Sequence, residues 1–428
     1  MVDLWNAPNR NQVLSATTRI PGSKSLTNRW LVLAAIAGGP CRINHPLLAR
    51  DTRLMAQALS SLGVGVELND DAFVITPHQL QGNVSIDCGL AGTVMRFVPP
   101  IAALANGDVR FDGDPAARVR PMQRIIDSLR ALGIQVDDDG RGTLPFIVEA
   151  TGHVAGGRVT IDASASSQFV SALLLAGARY DGGLVVEHQG GSLPSMPHID
   201  MTIETLAQVG IRVDTQIADA NHATWTVHPG VPEPFNVTVE PDLSNAAPFV
   251  AAALVCGGSV TIPNWPLRTT QAGDALRELL SKMGASVTRN GDDVTFTGEG
   301  QSTLQGLTAD LHDVGELTPV IAALCALANS PSHLSGIAHL RGHETDRLAA
   351  LATEINKLGG DVTETDDGLL INPVPLHGGT FATYEDHRMA MAGAVLGLAV
   401  ADLQIENIAT TGKTLPDFDV MWHALVNS

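Results

Sequence analysis

The sequence is poor in several kinds of residue, and each shortage excludes a class of protein. Only 4% of the 428 residues are aromatic and 17% are charged, whereas 44% are hydrophobic. A disordered chain shows the opposite balance of charge and hydrophobicity. Lysine and arginine together number 26 against 45 acidic residues, and the net charge is −19. That balance argues against a general nucleic-acid or anionic-membrane binder, which needs a basic surface.

Cysteines and long apolar runs are also scarce. The four cysteines are far apart, and none has the Cys or His spacing typical of a zinc site. The longest apolar run, residues 389–401, is too short to span a bilayer. The first ten residues, MVDLWNAPNR, lack the basic and apolar regions of a signal peptide. We therefore expect a cytoplasmic protein with no metal, no membrane contact and no nucleic-acid partner.

What the sequence does contain is a repeat of about seventy residues. A loop of small or polar residues leads into an Ala-rich apolar helix at residues 23, 91, 165, 243, 315 and 385, so successive copies start 68 to 78 residues apart. Because these six helices are apolar on nearly every face, we expect them to be buried.

A second helix, which is amphipathic, recurs with the same period as the first. It ends in glycine before an alternating strand, and we expect the glycine to be a left-handed C-cap. Five copies carry that glycine, Gly63, Gly133, Gly210, Gly284 and Gly359. A final helix at 417–426 completes a sixth copy. The sequence thus predicts six α/β units, divided near residue 240 into two domains of three.

The apolar helices begin with residues that a buried helix does not need. Helix N-termini carry partial positive charge, which suits phosphate or carboxylate and disfavours cations. The chain has only four lysines, yet Lys24 and Arg29 lie in the first turns of one helix and Arg388 in another. We interpret these three cations as waiting for the negative charge of a ligand. Ser166 and Ser167, by contrast, are also explained as ordinary N-caps.

Three further segments are rich in basic or titratable residues. They are PAARVRPM (115–122), HLRGHETDRL (339–348) and TGKTLPDF (411–418). A mixed charge run is usually a solvated face, and Glu344 with Arg347 has the spacing of a simple helix ion pair. From these residues alone, a structural and a functional explanation both remain open.

Six motifs, in order and at compatible spacing, resemble the 5-enolpyruvylshikimate-3-phosphate synthase (EPSP synthase) family. They are PGSKSLTNR, LAGTVMRF, ASASSQF, HETDRL, YEDHRMAM and GKTLPDF, and they extend from about residue 20 to 418. The resemblance implies an α/β fold with a pseudo-sixfold repeat. Two domains, each an inside-out α/β barrel of three βαβαββ units, would close like a clamshell.

The resemblance also implies a different binding role for each domain. Residues 23–239 would bind mainly shikimate 3-phosphate. Residues 1–22 plus 240–428 would form the second domain and contribute phosphoenolpyruvate-binding and catalytic residues.

The implied reaction moves the enolpyruvyl group of phosphoenolpyruvate to the 5-hydroxyl of shikimate 3-phosphate. Phosphate leaves through a tetrahedral intermediate, on the route to chorismate and the aromatic amino acids. No metal or organic cofactor is implied, the partners are these two small molecules, and we expect a monomer. Gly92 would leave room for an inhibitor shaped like phosphoenolpyruvate, such as glyphosate.

Matching the motifs residue by residue gives three sets of expected site residues. Contacts to shikimate 3-phosphate are expected from Lys24, Ser25, Arg29, Ser166, Ser167, Gln168, Ser195, Glu316 and His343. Contacts to phosphoenolpyruvate are expected from Lys24, Gly92, Arg120, Gln168, Arg347, Arg388 and Lys413. Proton transfer is expected from Lys24, Glu316, Glu344 and His387, with Glu316 as the base beside the 5-hydroxyl.

Some positions depart from the commonest family pattern, and two rival functions stay open. Leu90 and His339 each replace an Asn, His343 replaces a Lys, and Glu316 replaces an Asp. One rival is the enolpyruvyl transferase that acts on UDP-N-acetylglucosamine, but its mobile-loop cysteine is missing from GDPAARV, and SKSLTNR favours the shikimate branch. The other rival is a non-catalytic anion-binding repeat protein, which would not need glutamates beside its cations.

Overall fold

The computed structural model describes residues 3–10 and 12–428, and the chain divides into two compact units. The continuous unit is Gly22–Val239, and the discontinuous unit combines Met1–Pro21 with Glu240–Ser428. The binding role expected of each domain remains a prediction.

Two short strands of the discontinuous unit come first in the chain, β1 (Leu4–Asn6) and β2 (Leu14–Thr17). The continuous unit then has six helices: α1 (Lys24–Ala35), α2 (Arg50–Ser61), α3 (Gly92–Ala102), α4 (Gln123–Ala131), α5 (Gln168–Gly177) and α6 (Met196–Gln208). Its strands are β3 (Cys41–Asn44), β4 (Gly65–Asn69), β5 (Ala72–Thr76), β6 (Val84–Asp87), β7 (Asn106–Asp112), β8 (Gln135–Asp137), β9 (Phe146–Thr151), β10 (Gly157–Ile161), β11 (Leu184–Gln189), β12 (Val213–Asp219), β13 (His222–Val227) and β14 (Asn236–Thr238).

The rest of the discontinuous unit follows the same alternation. Its helices are α7 (Leu243–Cys256), α8 (Leu276–Lys282), α9 (Thr318–Ala326), α10 (Arg347–Lys357), α11 (His387–Gly397) and α12 (Phe418–Val426). Its later strands are β15 (Gly258–Ile262), β16 (Ser286–Asn290), β17 (Asp293–Gly298), β18 (Thr308–Asp310), β19 (Ser332–Ser335), β20 (Asp361–Glu364), β21 (Leu369–Asn372), β22 (Gly379–Phe381) and β23 (Leu403–Glu406). Short 3-10 helices lie at Ala272–Ala275, Gln301–Thr303, Gly315–Leu317, Ala338–Gly342 and Ile408–Lys413.

The five four-stranded sheets are built in the same way. In the sheet β6-β7-β9-β8, the first pair is parallel and the next two pairs are antiparallel. Parallel neighbours need a crossover connection, and α3 supplies it between β6 and β7. With α4 before the closing hairpin, the order in the chain is strand, helix, strand, helix, strand, strand, which is the βαβαββ unit expected from the resemblance.

The described residues form six sheets, in agreement with the predicted sixfold repeat. The continuous unit also contains β14-β3-β5-β4 and β10-β11-β13-β12. The discontinuous unit contains β2-β15-β17-β16, β18-β19-β21-β20 and the three-stranded β1-β23-β22. Both N-terminal strands therefore complete sheets whose other strands come from the second half of the chain.

The two helix types lie where the hydrophobic patterns predicted. The apolar helices fill the cores: every residue of α9 is buried, and so is every residue of α5 after Gln168. The five helix-ending glycines all have left-handed φ angles, between 79° and 109°, which a residue with a Cβ atom rarely adopts. All four cysteines are unpaired thiols. No helix in the described part of the chain is long and apolar enough to cross a membrane.

Candidate functional site

In the continuous unit, hydrogen bonds join the N-terminal turns of the three apolar helices. Asn28 on α1 donates to the hydroxyl of Thr93 on α3, with 2.7 Å between the two atoms. Arg96, one turn further along α3, donates to the side-chain oxygen of Gln168 at the start of α5, also at 2.7 Å. The polar residues at these three helix starts therefore lie at one end of the unit.

Lys24 is the first residue of α1, whose N-cap is Ser23. Lys24 pairs with Asp51, and 3.8 Å separates the ammonium nitrogen of Lys24 from the Oδ2 atom of Asp51. Asp51 lies in the first turn of α2 and is only 2% exposed, and its Oδ1 atom has no hydrogen-bond partner. A helix start favours a carboxylate, so Asp51 balances the charge that the start of α1 disfavours.

Arg29 makes several bonds within the protein. Its side chain is buried, and it already donates to the carbonyl oxygens of Ser25 and His198 and to the hydroxyl of Thr202. Its guanidinium also lies over the ring of Phe97, at 5.3 Å. In this structure Arg29 holds α1 to its neighbours, and its expected contact with shikimate 3-phosphate remains a prediction.

Two residues expected to hold phosphoenolpyruvate, Arg120 and Gln168, meet around a third, Gly92. A Cβ atom added to Gly92 would lie 3.4 Å from Arg120 Nη1 and 3.4 Å from Gln168 Oε1, and 3.0 Å from Arg96 Nη1. Arg120 is buried and donates to the carbonyl oxygen of Leu90. Glycine at the first position of α3 thus lets two guanidinium groups and an amide approach the backbone closely.

The serines expected to bind shikimate 3-phosphate also lie at helix starts in this unit. The hydroxyl of Ser166 accepts the N–H of Gln168, and Ser167 is the buried residue just before α5. Ser195 precedes α6 in a left-handed conformation, with φ of 56°, and makes no side-chain capping bond. Ser166 is therefore partly explained as a turn residue, whereas the hydroxyl of Ser195 does not cap its helix.

In the discontinuous unit, Arg347 is held by two acidic residues. Its Nε and Nη2 atoms donate to the two oxygens of Asp386, at 2.8 and 3.2 Å, and Nη2 also donates to Glu344 at 3.1 Å. Both Arg347 and Asp386 are almost fully buried. Burial acts to lower the pKa of Arg347, but the charges of Asp386 and Glu344 outweigh that effect and raise it.

Glu344 joins Arg347 to the scarce Lys413. Its Oε1 atom accepts from the ammonium of Lys413 at 2.5 Å, and its Oε2 atom accepts from Arg347. Because Lys413 and Glu344 are both largely buried, the Coulombic attraction between them is screened less than in an exposed ion pair. One carboxylate thus neutralises two of the cations expected to hold phosphoenolpyruvate.

Arg388 brings the remaining expected residues of this unit together. It donates to the backbone oxygen of Ser244 at 2.9 Å, to Asn245 at 3.1 Å and to Glu316 at 3.4 Å. The amide of Asn245 in turn donates to the carbonyl oxygen of Thr414, next to Lys413, at 3.0 Å. The starts of α7, α9 and α11 therefore meet, as the pseudo-symmetry of the sequence predicted.

Histidines form the last part of this cluster. His387 is buried beside Asp386, with 3.5 Å between Nδ1 of His387 and the carboxylate. His343 accepts from Arg347 at 3.2 Å, and its ring lies 5.8 Å from that of His339. Burial, reinforced by the nearby charges of His312 and Arg347, lowers the pKa of His339 to about 4. His339 is therefore neutral at neutral pH.

Three residues that hold this arrangement were missing from the expected site. Asp51, Arg96 and Asp386 each contact an expected site residue but do not match a ligand-contact position of a motif. Asp386 stands in the motif YEDHRMAM and could have been identified as an acidic N-cap beside two cations. Arg96, in the motif LAGTVMRF, gave a similar signal as a cation near the start of an apolar helix. Asp51 gave no such signal, because it stands in none of the motifs. Among the described residues, no group of three or more potential metal ligands comes together.

Comparison with known proteins gives a consistent result. A sequence model of the family described as EPSP synthase (3-phosphoshikimate 1-carboxyvinyltransferase) matches residues 8–422. The 3-phosphoshikimate 1-carboxyvinyltransferase of Kocuria rhizophila is 56% identical over 439 residues, which cover 100% of this chain and 97% of the relative. A solved EPSP synthase from Acinetobacter baumannii has a TM-score of 0.81 and 25% identity, covering 99% of this chain and 98% of that chain. The enolpyruvyl transferase NikO from Streptomyces tendae, with a TM-score of 0.76, 20% identity and coverage of 99% and 96%, is similar in fold alone.

Proposed function

The chain belongs to the EPSP synthase family, and from that premise we propose that it transfers the enolpyruvyl group of phosphoenolpyruvate to shikimate 3-phosphate. The observation that carries the proposal is the buried network of the discontinuous unit. There Arg347, Arg388 and Lys413 are gathered around the carboxylates of Glu316 and Glu344. A site of this kind supplies both anion-binding cations and proton-transfer groups.

Arginine and lysine have different parts in substrate binding. The planar guanidinium groups of Arg120, Arg347 and Arg388 suit bidentate contact with the phosphate and carboxylate of phosphoenolpyruvate. Lys413 adds a point charge beside them. Gly92 permits the close approach of the ligand to the start of α3, where free N–H groups favour an anion.

Shikimate 3-phosphate is assigned to the polar helix starts. We assign its contacts to Lys24, Ser25, Arg29, Ser166, Ser167, Gln168, Ser195, Glu316 and His343. Support comes from the clustering of the continuous-unit members at the starts of α1, α5 and α6. Arg29 also donates to Ser25, His198 and Thr202, and these bonds hold the helix starts in place.

The reaction has an addition step and an elimination step. The addition step requires two proton transfers, and the elimination step reverses the one to the methylene carbon. The carboxylate of Glu316 accepts the proton of the 5-hydroxyl as that oxygen bonds to C2 of phosphoenolpyruvate. An acid then supplies a proton to the methylene carbon, which becomes a methyl group. In the second step a base removes a methyl proton, the C2–O bond to phosphate breaks, and phosphate leaves.

The groups beside Arg347 are suited to exchange the methylene proton. Glu344 accepts hydrogen bonds from both Arg347 and Lys413, and a carboxylate in that place can take up and return a proton. Lys24 is an ammonium and is the acid we assign to the addition step. His387, buried beside Asp386, is the third candidate.

One measurement tests the function and separates it from its rivals. Purified protein should release phosphate from phosphoenolpyruvate only when shikimate 3-phosphate is present. Release that depends on UDP-N-acetylglucosamine instead would establish the cell-wall enzyme, and binding of both anions without any release would establish a non-catalytic protein. The family match disfavours both rivals. Monomeric state and cytoplasmic location remain predictions.

A further inference from the structure

We infer that Arg96 is a positioning residue, which orients the amide of Gln168 so that its N–H groups face the phosphoenolpyruvate anion. This inference rests on the proposed function, because Gln168 is one of the residues assigned to that substrate. It concerns a residue that no motif assigned to a ligand.

The inference starts from where Arg96 lies. It stands one turn after Gly92 on α3, is only 4% exposed, and donates from Nη1 to Gln168 Oε1 at 2.7 Å. Its guanidinium also lies over the ring of Phe169, the residue after Gln168, at 5.1 Å. Two separate contacts therefore fix Arg96 against the first turn of α5.

The chemistry of the two side chains decides the orientation of the amide. A guanidinium group has only donors, so only the oxygen of the Gln168 amide can face Arg96. The NH2 group of Gln168 must then point away from Arg96. An amide without such a partner is free to turn its oxygen towards the ligand, where it would repel an anion.

The hydrogen bond between Arg96 and Gln168 lies close to Gly92. The Arg96 to Gln168 bond passes beside the Cα atom of Gly92, as the 3.0 and 3.4 Å distances to an added Cβ atom show. Arg120 Nη1 lies at 3.4 Å from the same point. The bond is thus adjacent to residues assigned to phosphoenolpyruvate, and an amide donor there complements the charge of Arg120.

A simpler alternative is that Arg96 only packs α3 against α5. The two explanations differ in one respect. A packing role makes the effect of losing Arg96 independent of the amide at residue 168, whereas a positioning role makes the effect disappear once that amide has been removed.

A double-mutant cycle therefore tests the inference. Arg96→Met retains an unbranched side chain against Phe169 but removes the donor, and Gln168→Ala removes the amide. With shikimate 3-phosphate saturating, each single variant should raise the KM for phosphoenolpyruvate by about 10- to 100-fold, the usual effect of one hydrogen bond to a charged group. We expect kcat to change much less, and the double variant to have the KM of Gln168→Ala.

The controls make a negative result clear. Arg124→Met removes an arginine of the same unit whose side chain is 50% exposed, and its KM should be that of the wild-type enzyme. A double variant whose KM is the product of the two single effects would overturn the inference, and so would an unchanged KM in Arg96→Met. A different outcome would overturn the proposed function instead. It is that the wild-type protein fails to release phosphate from phosphoenolpyruvate when shikimate 3-phosphate is added.

A further variant covers the case in which Arg96→Met does not fold. Gln168→Glu keeps an acceptor for Arg96 but offers no N–H group and adds a negative charge beside the anion. Its KM for phosphoenolpyruvate should exceed that of Gln168→Ala. A KM equal to that of the wild-type enzyme would show that no donor is needed at residue 168 and would overturn the inference.

Discussion

Replacing Asp386 by Asn should destabilise the discontinuous unit while leaving its shape almost unchanged. Asp386 is fully buried, receives two hydrogen bonds from Arg347, and accepts the N–H of Arg388 as the N-cap of α11. Asparagine is as good an N-cap as aspartate, so the cap itself should survive. What is lost is the negative charge opposite a buried guanidinium.

The size of the effect follows from the remaining partners of Arg347. Breaking a buried ion pair by removing one charge costs about 3–5 kcal/mol. Glu344 still contacts Arg347 at 3.1 Å, so we expect a loss near the lower end, about 3 kcal/mol. For a unit of this size, 1 kcal/mol lowers the melting temperature by about 2–4 °C, which gives a decrease of about 6–12 °C.

Differential scanning calorimetry of the full chain measures this change. Asp366→Asn makes the same chemical change at an exposed position in the same unit and serves as the control. The double variant Asp386→Asn/Arg347→Met removes both charges. It should recover part of the lost melting temperature, because no unpaired guanidinium stays buried. A melting temperature for Asp386→Asn within 2 °C of wild type, roughly 1 kcal/mol or less, would refute the reasoning.

Three further substitutions test other parts of the structure. Asp51→Asn removes the negative charge beside Lys24. Steady-state kinetics should show kcat reduced by about tenfold or more, while KM for the anionic substrates stays constant or falls. An increase in KM with unchanged kcat would contradict this interpretation. Gly92→Ala places a methyl group 3.0 Å from a guanidinium nitrogen, so KM for phosphoenolpyruvate should rise, and an unchanged KM would show that the site relaxes freely. The third substitution is His339→Asn. The pKa of His339 is lowered to about 4 in the folded protein, so the folded state binds this proton less readily than the unfolded state does. The contribution of His339 to stability is therefore complete above pH 6.5 and is lost between pH 6.5 and 4. Urea unfolding at pH 7 and 4.5 should show a pH-dependent loss about 2 kcal/mol smaller in His339→Asn than in wild type, and equal losses would contradict the assignment.

The repeating architecture could be predicted from the sequence because each unit carries local signals. The glycines that end the amphipathic helices need a left-handed conformation, and the apolar helices have no polar face to expose. These are properties of short segments, so they survive whatever tertiary contacts form. The strand pairing at the chain terminus could be expected only from the family resemblance.

The candidate site was predictable in its cations and less so in their partners. Arg347, Arg388 and Lys413 stand out because they are basic residues in an acidic, apolar chain. The environment of Arg29 could not be read from the sequence, because its acceptors Ser171 and His198 lie more than 140 residues away. For the same reason the link from Arg96 to Gln168, 72 residues apart, is visible only in the structure.

The sheet pairing of β1 and β2 has a consequence for synthesis of the protein on the ribosome. β2 pairs with β15 at Gly258–Ile262, and β1 pairs with β23 at Leu403–Glu406. All strands of the continuous unit have been made by Thr238, so that unit can fold while the first strands of the chain still lack their neighbours. At about 5–20 residues per second, β1 is exposed for about 20–80 seconds before its partner appears, a period in which a chaperone has access to the beginning of the nascent chain.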